Sequence, residues 1–157
     1  MSFINPLFEP SKNERQKPNV SLNQKQTKSK KRSTRNDKTH NIKFPISSIQ
    51  QIKLRSYCKQ AQRVYQEKEL DPLPQTKFNT KLLRFGMNHP EILTWSHNYK
   101  DSKTYMHTNL LETEYQDIGG PHGYAIRENL SERKVVYQII MSVIVWMEGG
   151  GSLEKIL

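Results

Sequence analysis

The stretch from Glu132 to Met147 limits the possible folds of this chain more than any other. Val135, Val136, Ile139, Ile140, Val143, Ile144 and Met147 recur at helical spacing and form one broad apolar face. Asn129-Leu130-Ser131-Glu132-Arg133-Lys134 reads as a capped helix start, and Gly149-Gly150-Gly151 ends the helix. A face this wide needs cover from several neighbours. It belongs either to a core helix or to a helix–helix seam between two copies, and the capped start favours a core helix. Gln138 and Ser142 interrupt the apolar run, which is too short to span a bilayer.

The rest of the chain is much more polar. Only 34% of the 157 residues are hydrophobic and the mean hydropathy is −0.85. That suits one domain or two very small ones, with part of the chain disordered and the folded part relying on a partner subunit. The net charge of +10 is unevenly placed. Residues 1–40 carry ten Lys or Arg against three Asp or Glu, residues 41–90 nine against three, and residues 91–157 six against nine. A cationic half facing a polyanion is the physical reading, because each neutralised phosphate releases counterions. Cys58 is the only cysteine, so no disulfide forms within the chain and no structural zinc site is expected. The N-terminus lacks a basic segment followed by an apolar one, so a secretory signal is not expected. These features together point to the cytoplasm and away from a membrane.

Residues 1–38 read as a disordered basic arm, densest in charge from Lys28 to Arg35. Lys30, Lys31, Arg32 and Arg35 are its candidate phosphate contacts. The apolar start, Phe3-Ile4-Asn5-Pro6-Leu7-Phe8, is the one place where the arm has the texture of a docking motif. From Thr39 the pattern alternates, with Ile42 and Phe44 on one side and Thr39, Asn41 and Lys43 on the other, as in a half-buried strand. Pro45 is expected to end its ladder. Ser47 or Ser48 then caps a helix from about residue 48 to about residue 66. Ile49, Ile52, Cys58, Ala61 and Tyr65 form its stripe, widened by Leu54 and Tyr57. Pro72 and Pro74 separate it from a second helix that starts near Gln75 or Thr76. Phe78, Leu82 and Phe85 form the seam of that helix, with Leu83 beside it, and Gly86 is expected to end it. Ile92–Trp95 suits a helix extension or a strand, Lys103–Thr108 suits a strand, and Gly119-Gly120-Pro121-His122-Gly123 is a tight turn. No internal repeat is visible.

A short strand with a polar outer side, then two helices, resembles the ribbon-helix-helix family of DNA-binding proteins. The resemblance covers residues 39–88 and rests on Asn41-Ile42-Lys43-Phe44, Ile49–Gln62 and Thr76–Gly86. It implies a mainly α-helical protein with a short β-ribbon, in which two subunits pair their strands antiparallel. Ile42, Phe44, Ile49, Ile52, Phe78 and Leu82 would then form the dimer core. Thr39, Asn41 and Lys43 would read bases in the major groove, and the start of the second helix, at Thr76 and Lys77, would meet a phosphate. The division that follows is a basic arm at 1–38, a ribbon-helix-helix domain at 39–90 and an added α+β module at 91–157 for oligomerisation or partner binding. The segment Glu67–Gln75 is longer and richer in proline than the usual connection between the two helices of the family.

Enzyme signatures are weaker. The glycine-rich turn at 119–123 lacks a Lys-Ser/Thr pair for a phosphate cradle, and Pro121 removes a donor. His97, His107 and His122 with Glu112, Glu114 and Asp117 match no ligand spacing, so no metal or other cofactor is expected. Cys58 lies on an apolar stripe and reads as a buried thiol. Tyr57, Tyr65, Trp95 and Tyr99 suit core packing better than base stacking. The function expected is sequence-specific binding of double-stranded DNA by a non-enzymatic homodimer, as a transcriptional regulator with the look of a plasmid or mobile-element protein. The alternatives are a mobilisation accessory that marks a transfer origin, with a relaxase as partner of its C-terminal half, an RNA- or ribosome-binding protein, and a protein–protein adaptor.

Overall fold

The computed structural model describes Ser33, Arg35 and residues 37–157. Lys30, Lys31, Arg32 and the apolar start at Phe3 lie outside them. Residues 37–157 make one compact unit. It is mainly helical, with one two-stranded antiparallel sheet. Along the chain come β1 (Thr39–Pro45), α1 (Ser48–Glu67), α2 (Gln75–Asn88), β2 (Tyr105–Leu111), α3 (Glu112–Gly119), α4 (Tyr124–Arg127) and α5 (Glu132–Glu148). Short 3-10 turns follow α2 and α5, the first at Pro90–Ile92, where a helix extension or a strand was expected. Among the described residues no helix is long and apolar enough to cross a membrane.

The strand at Thr39 forms as expected, but its partner is within the same chain. β1 pairs with β2 in antiparallel register, from Thr39 opposite Leu111 to Pro45 opposite Tyr105. The pairing expected between two subunits is thus made internally. β2 has the same period-two pattern as β1 (Met106, Thr108 and Leu110 buried, the residues between them exposed), so the two strands complete one inner face. Pro45 does not end the ladder, and Ile46 N–H still donates to the Thr104 carbonyl at 3.0 Å. The register explains why. Asn109 N–H is aimed away from β1, at the Thr80 hydroxyl. Alternation then puts every second pair, including Pro45–Tyr105, where the backbone groups face outward, so the missing proline N–H costs no ladder bond.

Helix α1 starts at a capping box in which Ser47 and Gln50 bond reciprocally. Its buried stripe is Leu54, Cys58, Ala61 and Tyr65. Ile49 and Ile52, expected in a dimer core, are 70% and 67% exposed. At about 100° per residue, Ile52 lies roughly 200° round from Leu54 and Ile49 about 140°, so the longer C-terminal stripe leaves both outside. Ile42, Phe44, Phe78 and Leu82 are buried as expected, but within this chain's own core rather than between subunits.

Gly86 does not end α2. The helix runs on to Asn88, and a Cβ on Gly86 would lie 2.4 Å from Ile139 Cγ2 and 3.1 Å from Val143 Cγ2. The glycine lets α5 side chains sit directly against the α2 backbone, so it acts in packing. α5 is the core helix, with every residue from Val135 to Ile144 buried. Its two polar interruptions hold the irregular segment after α2. Gln138 bonds both the N–H and the carbonyl of His97, and Ser142 Oγ accepts from Thr94 N–H. The boundary expected at residue 90 has no counterpart, because β2 and α5 pack directly on β1 and α2.

The element order strand–helix–helix occurs twice. β1, α1 and α2 form the first set, and β2, the broken α3–α4 stretch and α5 form the second. Contacts exchange in the same way: α2 packs on β2, α5 packs on β1, and α2 and α5 pack on each other. No repeat shows in the sequence because the equivalent positions share almost no residues.

Candidate nucleic-acid interface

One face of the ribbon packs on the core, so alternation turns the other to solvent. β1 puts Thr39, Asn41 and Lys43 on that outer face, and β2 adds Tyr105, His107, Asn109 and Leu111. The three residues expected to read bases are therefore brought together and exposed. Their partners on β2 were not anticipated, since the strand was expected at Lys103–Thr108 and given no role. The signal that marks them is a partial alternation, with Met106 and Leu110 apolar on one side and His107 and Asn109 polar on the other, which Thr108 and Leu111 interrupt.

The outer face is ordered by its own bonds. Asn41 Nδ2 donates to Asn109 Oδ1 at 2.8 Å, and His107 Nδ1 lies 3.1 Å from Asn41 Oδ1. An amide carries two donor hydrogens and two acceptor lone pairs, so Asn41 and Asn109 each keep bonding capacity for a ligand. Lys43 Nζ lies 5.2 Å from the centre of the Tyr105 ring, and the Arg133 guanidinium 5.9 Å from the same ring. Both cations thus stand at the Pro45–Tyr105 end.

The first two turns of α2 lie along the outer edge of β2. The buried Asn79 side chain donates to the His107 carbonyl at 3.1 Å, and the Thr80 hydroxyl accepts from Asn109 N–H at 2.9 Å. These bonds engage two of the strand's outward backbone groups and fix α2 beside the ribbon. A cleft of about 300 Å³ there is lined by Thr76, Lys77 and Asn109, and a second joins Arg55 and Thr76 to Tyr105 and His107. No side chain caps the α2 N-terminus, where Pro74 holds the cap position. Thr76 is half-buried and Lys77 exposed at this helix start. Arg35 is exposed just ahead of β1.

The nearby carboxylates are already engaged. Glu112 bonds His40, which holds its carboxyl below the usual range, and lies 3.9 Å from Lys38 Nζ. Glu114 takes a two-pronged bond from Arg84 at 2.6 and 3.1 Å. Glu132 accepts from the Tyr115 hydroxyl, and that bond pushes Tyr115 up to about 12. Among the described residues, Lys43, Lys77 and Arg133 have no carboxylate partner. The ribbon face and its flanks are therefore net cationic.

The other candidate chemistries do not converge. Gly119–Gly123 is a close-packed turn in which a Cβ on Gly123 would lie 2.5 Å from the Ile118 carbonyl oxygen. His107 is on the ribbon, His122 is exposed in that turn, and His97 is held against α5, where burial pulls its pKa down. Among the described residues no group of three or more His, Cys, Asp or Glu side chains is placed to hold a metal. Cys58 is buried, which raises its thiol pKa. Tyr65 is buried, Trp95 packs against Tyr124, and Tyr99 packs edge-on to Tyr137. Comparison with known protein families, curated protein sequences and solved structures finds no match.

Proposed function

We propose that this chain is a sequence-specific double-stranded DNA-binding protein that works as a ribbon-helix-helix reader and regulates transcription. The observation that carries the proposal is the solvent-facing side of the β1–β2 ribbon. It presents Thr39, Asn41, Lys43, His107 and Asn109 and no carboxylate. A two-stranded antiparallel ribbon has the width to enter a major groove. Asn matches adenine through two bonds, and Lys reaches guanine O6 or N7. Thr76 and Lys77 at the uncapped start of α2 are placed for a flanking phosphate, and the basic arm, with Arg35, adds attraction that does not depend on sequence. Groove occupancy of this kind is the physical act common to a repressor and to a protein that marks a transfer origin.

The test is binding of the full chain to a selected duplex and to random duplex across a salt series. Asn41→Ala and Lys43→Ala are each expected to lower the preference for the selected duplex by about 1–3 kcal/mol. Lys77→Ala should weaken both duplexes equally and reduce the salt slope by about one. If neither ribbon substitution changes the preference, the ribbon is not the reader. Equal or tighter binding to structured RNA would overturn the assignment to duplex DNA.

A further inference from the structure

The two strands of the ribbon belong to one chain and are not copies of each other. A two-stranded antiparallel ribbon has a local two-fold axis through its central pair, here Ile42 opposite Thr108. That axis carries each β1 position onto the β2 position 66 residues further on. Thr39 maps to Tyr105, Asn41 to His107, Lys43 to Asn109 and Pro45 to Leu111. No pair is identical. The flanks differ as well. The start of α2 has no side-chain cap, whereas at α5 Ser131 Oγ accepts from Lys134 N–H and Glu132 is bonded to Tyr115.

From this we infer that one chain alone reads one DNA site, and that the site lacks two-fold symmetry. The inference rests on the DNA-reading role assigned to the ribbon and specifies the class of target. When two identical subunits each donate a strand, equivalent side chains meet equivalent bases and the preferred site is a palindrome. Here the equivalent places hold different chemistry. Lys43 selects guanine on one side of the centre, and Asn109 selects adenine at the mirrored place. From Thr39 to Lys43 the readers span about 13 Å, or about four base pairs, so the base-specific core is short. Both ribbon strands come from the same chain, so a second copy is not needed to build the reading face.

The experiment selects sites from a duplex library with a randomised core of about two helical turns, using the full chain. The mass of the complex with the selected duplex is then measured. The expected result is a non-palindromic motif bound by one chain. Lys43→Ala should relax one base position and Asn109→Ala a different one, each by about 5- to 100-fold. Both side chains are exposed, and a thermal melt checks that each variant remains folded. Lys43→Asn makes the two mirrored places alike and should shift the selected motif toward adenine at both. A palindromic motif occupied by two chains, with each substitution relaxing two mirrored positions, would overturn the inference and leave the DNA-reading role intact. Failure to select any motif would overturn that role, and the inference with it.

Discussion

The two strand–helix–helix halves make the same contacts in different ways. In the first half, α1 is a continuous helix of 20 residues with a narrow buried stripe. The corresponding stretch of the second half is broken into α3 and α4, of eight and four residues. The second half compensates with α5, which is buried along ten consecutive residues, whereas in α2 half-exposed positions separate runs of two or three buried residues. Charge divides in the same way, since residues 41–90 are strongly basic and residues 91–157 mildly acidic. The first half thus supplies most of the cation, while the core is shared almost equally, with twelve buried hydrophobic residues from the first half and thirteen from the second, ten of the second half's buried residues being consecutive in α5. Similar topology does not need similar sequence where the two halves take different shares of the same work.

That contrast has measurable consequences. The largest effect is expected from Ile140→Ala in α5, which should lower unfolding free energy by about 2–5 kcal/mol in a denaturant titration. Ile52→Ala, the same change on the exposed side of α1, should stay within about 0.5 kcal/mol. Equal losses would mean that α1's outer side is covered and would break the contrast. Next comes the meeting point of the halves. Gly86→Ala should cost about 1–3 kcal/mol through overpacking against Ile139, more than the roughly 1 kcal/mol that alanine gains in helix propensity. Adding Ile139→Ala should recover part of the loss, and strictly additive effects would show that the two residues do not touch.

A smaller effect, about 1–3 kcal/mol, is expected for Asn79→Leu, which leaves the His107 carbonyl without its partner. It should speed amide exchange in β2 more than in α1. The smallest is a titration effect in the second half. Tyr115 is held at about 12 by Glu132. A tyrosine raised in the folded state contributes stability that is complete below about pH 10 and is lost as pH rises through 12. Glu132→Gln should therefore bring one tyrosine's ultraviolet titration toward 10 and reduce the loss of stability across that alkaline window.

Most helices were legible because their periodicity is local. The Phe78–Leu82–Phe85 seam, the Ser47 cap and the apolar run from Val135 each declare themselves within a few residues. The outer face at Thr39, Asn41 and Lys43 was legible for the same reason. Pairing was not. Alternation tells a strand which side is buried but not which strand lies beside it, and the partner of Ile42 is 66 residues away. A resemblance confined to residues 39–88 therefore led to a strand from a second subunit and hid His107 and Asn109. Three further readings failed because they depend on that distant packing. Pro45 is harmless only in this register. Gly86 is a contact rather than a stop only because Ile139 faces it. Ile49 and Ile52 are outside only because Leu54, Cys58 and Ala61 decide the rotation of α1.

The Asn79 and Thr80 side chains, which occupy the outward His107 carbonyl and Asn109 N–H at the centre of β2, also bear on how these molecules behave when crowded. Fibril growth by strand addition needs two open edges per molecule, one to accept and one to offer. With one margin of the ribbon covered by α2, a stack begun at the other side ends after a single addition, so the short sheet is protected against runaway polymerisation by its own helix.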